Sequence, residues 1–435
     1  RTMRYTVLET IREFGSERLA AAGEDRAIQV AHAEYFLALA ERCEDAAWVP
    51  LDPALPARFE AEFPNFRAAL AWFEAERDWE RMLRLAAALR WFWSLRGFFR
   101  EGRRWLERAL AKAGRLDPTV RAKSVMALGW VVLLHGENDR AYDVYQEGLG
   151  LFGERGDARG TAHALSALGA LAHYRGNYEQ AETLNAEALA IQEHLDDGPV
   201  ADSLGAAIYS NLGLAAYGRG RLAATTAHLA EALDRYRRLD YAPGLVRTLL
   251  NAGNVALDRG DHAGALAHYR EALARAPDVA EERLVASALL GIASVAAVTG
   301  SPVTAARLSG AADAIRQRLG NPIVFYAADQ ARHERSLADV RTQLGERAFV
   351  AAWSAGQTLG LHEATAAALS SPADRPVLLR RQALSARERD VLTHLATASD
   401  YREIAEMLFI SRRTVHRHVA AIFAKLGVNN RAAAV

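Results

Sequence analysis

The chain has 435 residues, no formal net charge, 51% hydrophobic residues and 24% charged ones. That balance describes a globular protein long enough for two or three domains and excludes a disordered one. It has no run of eighteen apolar residues, so no membrane span is expected, and its one cysteine, Cys43, excludes an internal disulfide or a cysteine-built zinc site.

Cysteine usage points to a reducing, cytoplasmic setting. Arg1 to Ala22 reads as an amphipathic helix rather than a signal peptide. Lysine occurs three times, at Lys112, Lys123 and Lys425, against fifty arginines, a bias that suggests a GC-rich bacterial genome. Arg1 is not an initiator residue, so the chain is expected to be part of something longer.

Val7, Leu8, Ile11, Phe14 and Leu19 recur at helical spacing, and Gly23 ends the pattern. The string from Tyr5 to Phe14, with Glu17-Arg18-Leu19 and Gly23-Glu24, resembles the close of the winged-helix part that follows a STAND-type (NB-ARC) ATPase in large bacterial regulators. Residues 1–24 are then a remnant of that part, and the resemblance implies an ATPase before Arg1. No Gly-x4-Gly-Lys-Ser/Thr loop occurs in the sequence. The alternative is a plain N-terminal amphipathic helix.

Residues 25–81 read as a helical connector. Ala27 to Cys43 is a second amphipathic helix, with Tyr35, Phe36, Leu39 and Cys43 on its inner face. Trp48 to Pro56 reads as a loop, and Pro64-Asn65 as the start of a helix burying Phe66, Leu70 and Phe73.

Residues 82–314 repeat. Gly97, Gly136, Gly176, Gly220, Gly260 and Gly300 are 39, 40, 44, 40 and 40 residues apart. Seven residues before the last five stand Gly129, Gly169, Gly213, Gly253 and Ala293, where a small side chain lets two antiparallel helices approach. Five residues after stand Ala141, Ala181, Thr225, Ala265 and Ala305; twelve after stand Gly148, Ala188, Ala232, Ala272 and Ala312. Helix pairs stacked in register form a tetratricopeptide-like (TPR) solenoid. The Gly97 unit is degenerate and rich in aromatic residues. In that register Trp91, Trp130, His163, His173, Tyr217, Arg247 and Asn254 fall on the concave side, a candidate face for a small-molecule or protein inducer. The alternative is that the two tryptophans pack between repeats and the others are only solvated.

Residues 315–369 extend the solenoid with two or three helices, placing Val340, Leu344, Phe349, Trp353 and Leu359 on apolar faces. Leu344 to Phe349, Trp353 and Gly356 recur in the same large regulators. Residues 370–383, with Pro372 and Pro376, read as a flexible linker.

Residues 384–435 predict three short amphipathic helices and the start of a fourth. Ser385 and Glu388 form a capping box for the first, whose stripe is Val391, Leu392 and Leu395. Asp400 caps the second, which turns Ile404, Ala405 and Leu408 inward. Ser411 caps the third, whose inner face is Val415, Val419, Ile422, Phe423 and Leu426, and Gly427 stops it. A short helix, a tight turn and a basic second helix make a helix-turn-helix, with 412–425 as recognition helix. From Arg380 onward ten basic residues stand against five acidic ones. A segment of +5 on a neutral chain suits phosphate binding, although a basic solvated face would look similar.

The blocks Leu384-Ser385-Ala386-Arg387-Glu388, Arg402-Glu403-Ile404-Ala405, Ile410-Ser411 to Thr414-Val415, His418-Val419 and Lys425-Leu426-Gly427-Val428 resemble the LuxR-type helix-turn-helix domain in order and spacing. The resemblance implies a DNA-binding transcriptional regulator of all-α fold. It implies that Ser411, Arg413 and Thr414 lie near phosphates and that His416, Arg417 and Ala420 face base edges; Arg412 and Lys425 complete the basic set. It implies a homodimer paired through the last helix, 429–435, on double-stranded promoter DNA, with RNA polymerase a further candidate partner. Tyr401 and His416 stand where that family commonly has Asn and Lys, so its base preference does not carry over. Arg417 can pair bidentately with guanine. Two rivals are a TPR-type interaction scaffold with non-specific DNA affinity and a hydrolase in the solenoid groove. No nucleophile–base pair, His-Glu-x-x-His or Gly-x-Ser-x-Gly occurs, so no catalytic residue, metal or cofactor is assigned.

Overall fold

The computed structural model describes residues 9–44, 55–195, 198–279, 282–319, 327–370, 386–397, 401–408, 410, 411, 414, 415, 417–419 and 422. Among them every regular element is helical and there is no strand. The chain divides into two compact units, Arg1–Ser371 and Pro372–Val435.

The first unit opens with α1 (Glu9–Ala22), α2 (Asp25–Glu41) and α3 (Leu55–Ala75). Phe66, Leu70 and Phe73 are buried as expected. The start of α3 is not at Pro64: the helix begins at Leu55 and runs through that proline. Proline costs an interior hydrogen bond. Here Phe59, Phe63 and Phe66 hold both sides of it in one aromatic core, with Phe59 and Phe66 centroids 4.9 Å apart. Tyr35 and Phe14 also depart from expectation, being 53% and 59% exposed. Tyr35 instead lies edge-on to Phe36, while Phe36 and Leu39 take the buried positions and Cys43 is half-buried.

α4 (Trp79–Ala88), α5 (Arg90–Arg96) and α6 (Phe99–Lys112) form the degenerate unit, its first helix broken at Leu89. Five regular pairs follow: α7 (Pro118–Leu134) with α8 (Asn138–Arg155), α9 (Ala158–Tyr174) with α10 (Tyr178–Gln192), α11 (Pro199–Gly218) with α12 (Leu222–Arg238), α13 (Ala242–Asp258) with α14 (His262–Val279), and α15 (Glu282–Val298) with α16 (Pro302–Leu319).

The turn inside each pair is the same. Gly136, Gly176, Gly220, Gly260 and Gly300 all have φ between 73° and 81°. The residue after each donates its N–H to the carbonyl five residues back, as in Asn177 N to Ala172 O at 2.9 Å and Ser301 N to Ala296 O at 2.8 Å. This Schellman closure needs a left-handed residue, which glycine adopts without a Cβ penalty. Gly176→Ala meets no atom within 4 Å. Its expected cost is therefore conformational alone, about 1–2 kcal/mol, read as a lower urea midpoint with unchanged slope.

The small residue seven positions earlier does what its spacing suggested. A Cβ on Gly129, Gly169, Gly213 or Gly253 would lie 2.1–2.8 Å from Tyr145, Asn185, Leu229 or Tyr269 of the second helix. Ala141, Ala181, Thr225, Ala265, Ala305, Ala188, Ala232, Ala272 and Ala312 are all buried on that helix. Second helices also pack on the next first helix, and first helices contact one another along the array, α9 on α11, α11 on α13 and α13 on α15.

α17 (Ala327–Leu344), α18 (Glu346–Gln357) and α19 (Leu361–Leu369) cap the array. Val340 and Phe349 are buried there, with Leu344 and Trp353 partly so. Leu319, at the end of α16, returns to the start of the array: a Cβ on Gly97 would lie 3.2 Å from its Cδ2.

Candidate nucleic-acid interface and solenoid interior

The second unit contains α20 (Ala386–Thr397) and α21 (Tyr401–Met407). Beyond them Thr414, Val415, Arg417, His418, Val419 and Ile422 are helical. Val391 and Leu395 of α20, Ile404 and Ala405 of α21, and Val415, Val419 and Ile422 form one buried cluster, lined by Leu392, Leu408 and Ile410. The positions 415, 419 and 422 follow the helical stripe expected of an inner face. Arg387 Nη2 donates to Leu408 O at 2.5 Å, tying α20 to the end of α21.

The turn into the third helix is built by Ser411. Its Oγ accepts from Thr414 N at 3.1 Å, and its carbonyl from Val415 N at 3.1 Å, an N-cap as anticipated. The Ser411 and Thr414 hydroxyls lie 2.8 Å apart. Ser411 and Arg417 are exposed and Thr414 is half-buried. Arg417 falls between buried Val415 and Val419, so its side chain leaves the core on the outer face. Arg412, Arg413, His416, Ala420 and Lys425 lie outside the described residues, as do Ser385, Asp400, Phe423, Leu426 and Gly427.

The seven solenoid residues are not one site. Trp91 is buried on Phe59, with ring centroids 4.8 Å apart. Trp130 Nε1 donates to Ser94 Oγ at 2.6 Å. Tyr217 donates to Asp258 Oδ2 at 2.9 Å, and Asp258 also pairs with Arg332 of α17. Asn254 Oδ1 accepts from Tyr269 at 2.6 Å. The His173 ring lies tilted against Tyr178, with centroids 5.3 Å apart, and burial pushes its pKa down to about 4. Trp91 thus packs against the aromatic core, and neighbours engage most of the others.

Trp91 and His163 nevertheless share a cavity of about 300 Å³ with Arg90, a residue that no sequence pattern marks. Burial first, and Arg90 second, push His163 down to about 3, so its ring is neutral at physiological pH. Burial also pulls the Arg90 guanidinium below its ordinary range; Tyr145, Tyr241 and Glu44 oppose this and Arg247 adds to it. Arg90 of α5 therefore shares an interior with Arg247 of α13. A basic residue opening a short aromatic helix carries no spacing signal that would have singled it out.

Residues 382–435 match the family described as "Bacterial regulatory proteins, luxR family". Residues 161–195 and 206–278 match tetratricopeptide repeats. The chain thus carries TPR repeats and a C-terminal LuxR-type helix-turn-helix domain. Over most of its length it is homologous to proteins named as HTH-type transcriptional regulators. It is 25% identical to the "Putative HTH-type transcriptional regulator Rv0890c" of Mycobacterium tuberculosis, across 98% of this chain and 66% of that protein. The chain accordingly spans just under two thirds of the length of that relative. The "Uncharacterized transcriptional regulatory protein YhcZ" of Bacillus subtilis is 50% identical over 48 residues, which is 11% of this chain and 22% of that one. The "Probable transcriptional regulatory protein NarL" of M. tuberculosis is 48% identical over 52 residues, 12% of this chain and 24% of that one. Among the described residues no helix is long and apolar enough to cross a membrane.

Proposed function

We propose that this chain is the sensory and DNA-binding part of a transcription regulator. The helix beginning at Ser411 enters the major groove of promoter DNA, as a dimer paired through 429–435, and the TPR solenoid receives the signal that controls it. The observation that carries this reading is the LuxR-type domain at 382–435, whose third helix buries Val415, Val419 and Ile422 and leaves Arg417 exposed. A helix held by its inner face and basic on its outer face is what groove recognition requires.

The test is selection of bound duplexes from a random DNA pool, using the whole chain at two salt concentrations. A symmetric enriched motif supports the reading and gives the dimer spacing. Salt-labile binding without a motif moves the assignment to an interaction scaffold with non-specific DNA affinity. Arg417→Ala is expected to cost about 1–3 kcal/mol and to relax preference at one base position. Arg413→Ala is expected to weaken binding on every sequence and to flatten the salt slope by about one. Equal losses on all sequences for both variants would overturn the assigned roles.

A further inference from the structure

The cavity beside α5 combines charge and apolar surface in a way the packing of repeats does not require. The first turn of α9 supplies Arg159 and, one turn on, His163; α5 supplies Arg90 and Trp91. Met126 and Phe152 provide apolar wall. Glu44 and Asp157 bring the only carboxylates among the lining residues, and both are engaged. Glu44 pairs with Lys123 at 2.9 Å, and Asp157 accepts from Gly160 N at 2.9 Å as the cap of α9. Three cations, two carboxylates and a neutral histidine leave one positive charge. The N-terminal end of α9 adds to it through the helix dipole.

A single net charge suits a monoanion better than a dianionic phosphate monoester. The volume lies at the lower end of the range for small-molecule pockets, and apolar walls with a few polar groups are typical of them. Guanidinium groups hold carboxylates through strong, paired hydrogen bonds, and tryptophan offers a flat apolar face.

We propose that this cavity binds a small monocarboxylate with an apolar body, its carboxylate on Arg90 and Arg159 and its body among Trp91, Met126 and Phe152. That the occupant serves as an inducer rests on the regulator reading above; the binding itself does not.

The experiment is isothermal titration of the whole chain with phenylacetate, indole-3-acetate and octanoate, each beside its neutral primary amide. At least one acid is expected to bind saturably and ten times or more tighter than its amide. Arg90→Met is expected to abolish that binding. Arg159→Gln is expected to weaken it severalfold, and because Arg159 is exposed this variant decides the matter should Arg90→Met fail to fold. The proposal is overturned if no acid binds, if acid and amide bind alike, or if Arg159→Gln and a folded Arg90→Met bind as the parent does. Acid binding that leaves DNA affinity unchanged would keep the site and remove its sensory role. An enriched DNA motif without acid binding would remove the site and keep the regulator.

Discussion

Gly356→Val is expected to detach α18 from α16 and to lower the stability of the first unit by about 3 kcal/mol or more, the upper end of what overpacking costs. The two helices meet through glycines. A Cβ on Gly356 would lie 1.9 Å from Arg307 O, and one on Gly310 would lie 2.2 Å from Trp353 O. Both obstacles are backbone atoms, so no side-chain rotation relieves them, and the helices must separate. Separation would expose Phe349 and Val340, now buried against Ala305 and Ala306. The readouts are the denaturant midpoint and the rate of limited proteolysis between α16 and α19, which should rise while the earlier repeats stay protected. A parent-like midpoint and cleavage pattern would show that this contact does not hold the cap of the array. Gly356→Ala should act in the same direction, because the first carbon beyond Cα already makes the clash.

Val415→Asp is expected to unfold the DNA-binding unit and to reduce DNA affinity below detection. Val415 is fully buried in a cluster of seven residues drawn from all three helices. An ionised carboxylate without a partner there costs several kcal/mol, and the group escapes only by taking up a proton or by unfolding its surroundings. A unit this small buries little apolar surface and has few kcal/mol to lose. Arg1–Ser371 is a compact unit of its own, so its thermal transition should persist. The comparison is between fluorescence anisotropy on a selected duplex and circular dichroism melting of the same sample. Parent-like affinity would mean that the third helix is not held by this core. Arg417→Ala differs in kind: it should weaken binding with both melting transitions intact, because Arg417 takes no part in the cluster.

Much of this architecture is legible in the chain because it is set by local rules repeated many times. The left-handed turn at Gly176 and its four counterparts follows from a residue type that alone adopts positive φ freely. Gly169 and Gly253, seven residues earlier, mark close approaches that only a missing Cβ permits. The inner face of the last unit follows from helical periodicity, and the Ser411 cap from a hydroxyl at the right offset. In the solenoid Trp91 and His163, two of the residues that the repeat register assigns to the concave side, line one cavity with Arg90.

Sequence alone therefore determined the all-α repeat, its turns and its small-residue contacts, and the buried stripe that orients Arg417, because each depends on residues within about two helices of one another. Tertiary structure decided the rest. Pro64 lies inside α3 because an aromatic core on both sides outweighs one lost hydrogen bond. Tyr35 faces solvent while Phe36 takes the core. The desolvation of Arg90, the electrostatic effect of Arg247 on it, the cavity beside it and the return of Leu319 to Gly97 have no local signature. They arise because small rotations from one helix pair to the next accumulate along the array, and bring together side chains whose separation in the sequence no period describes.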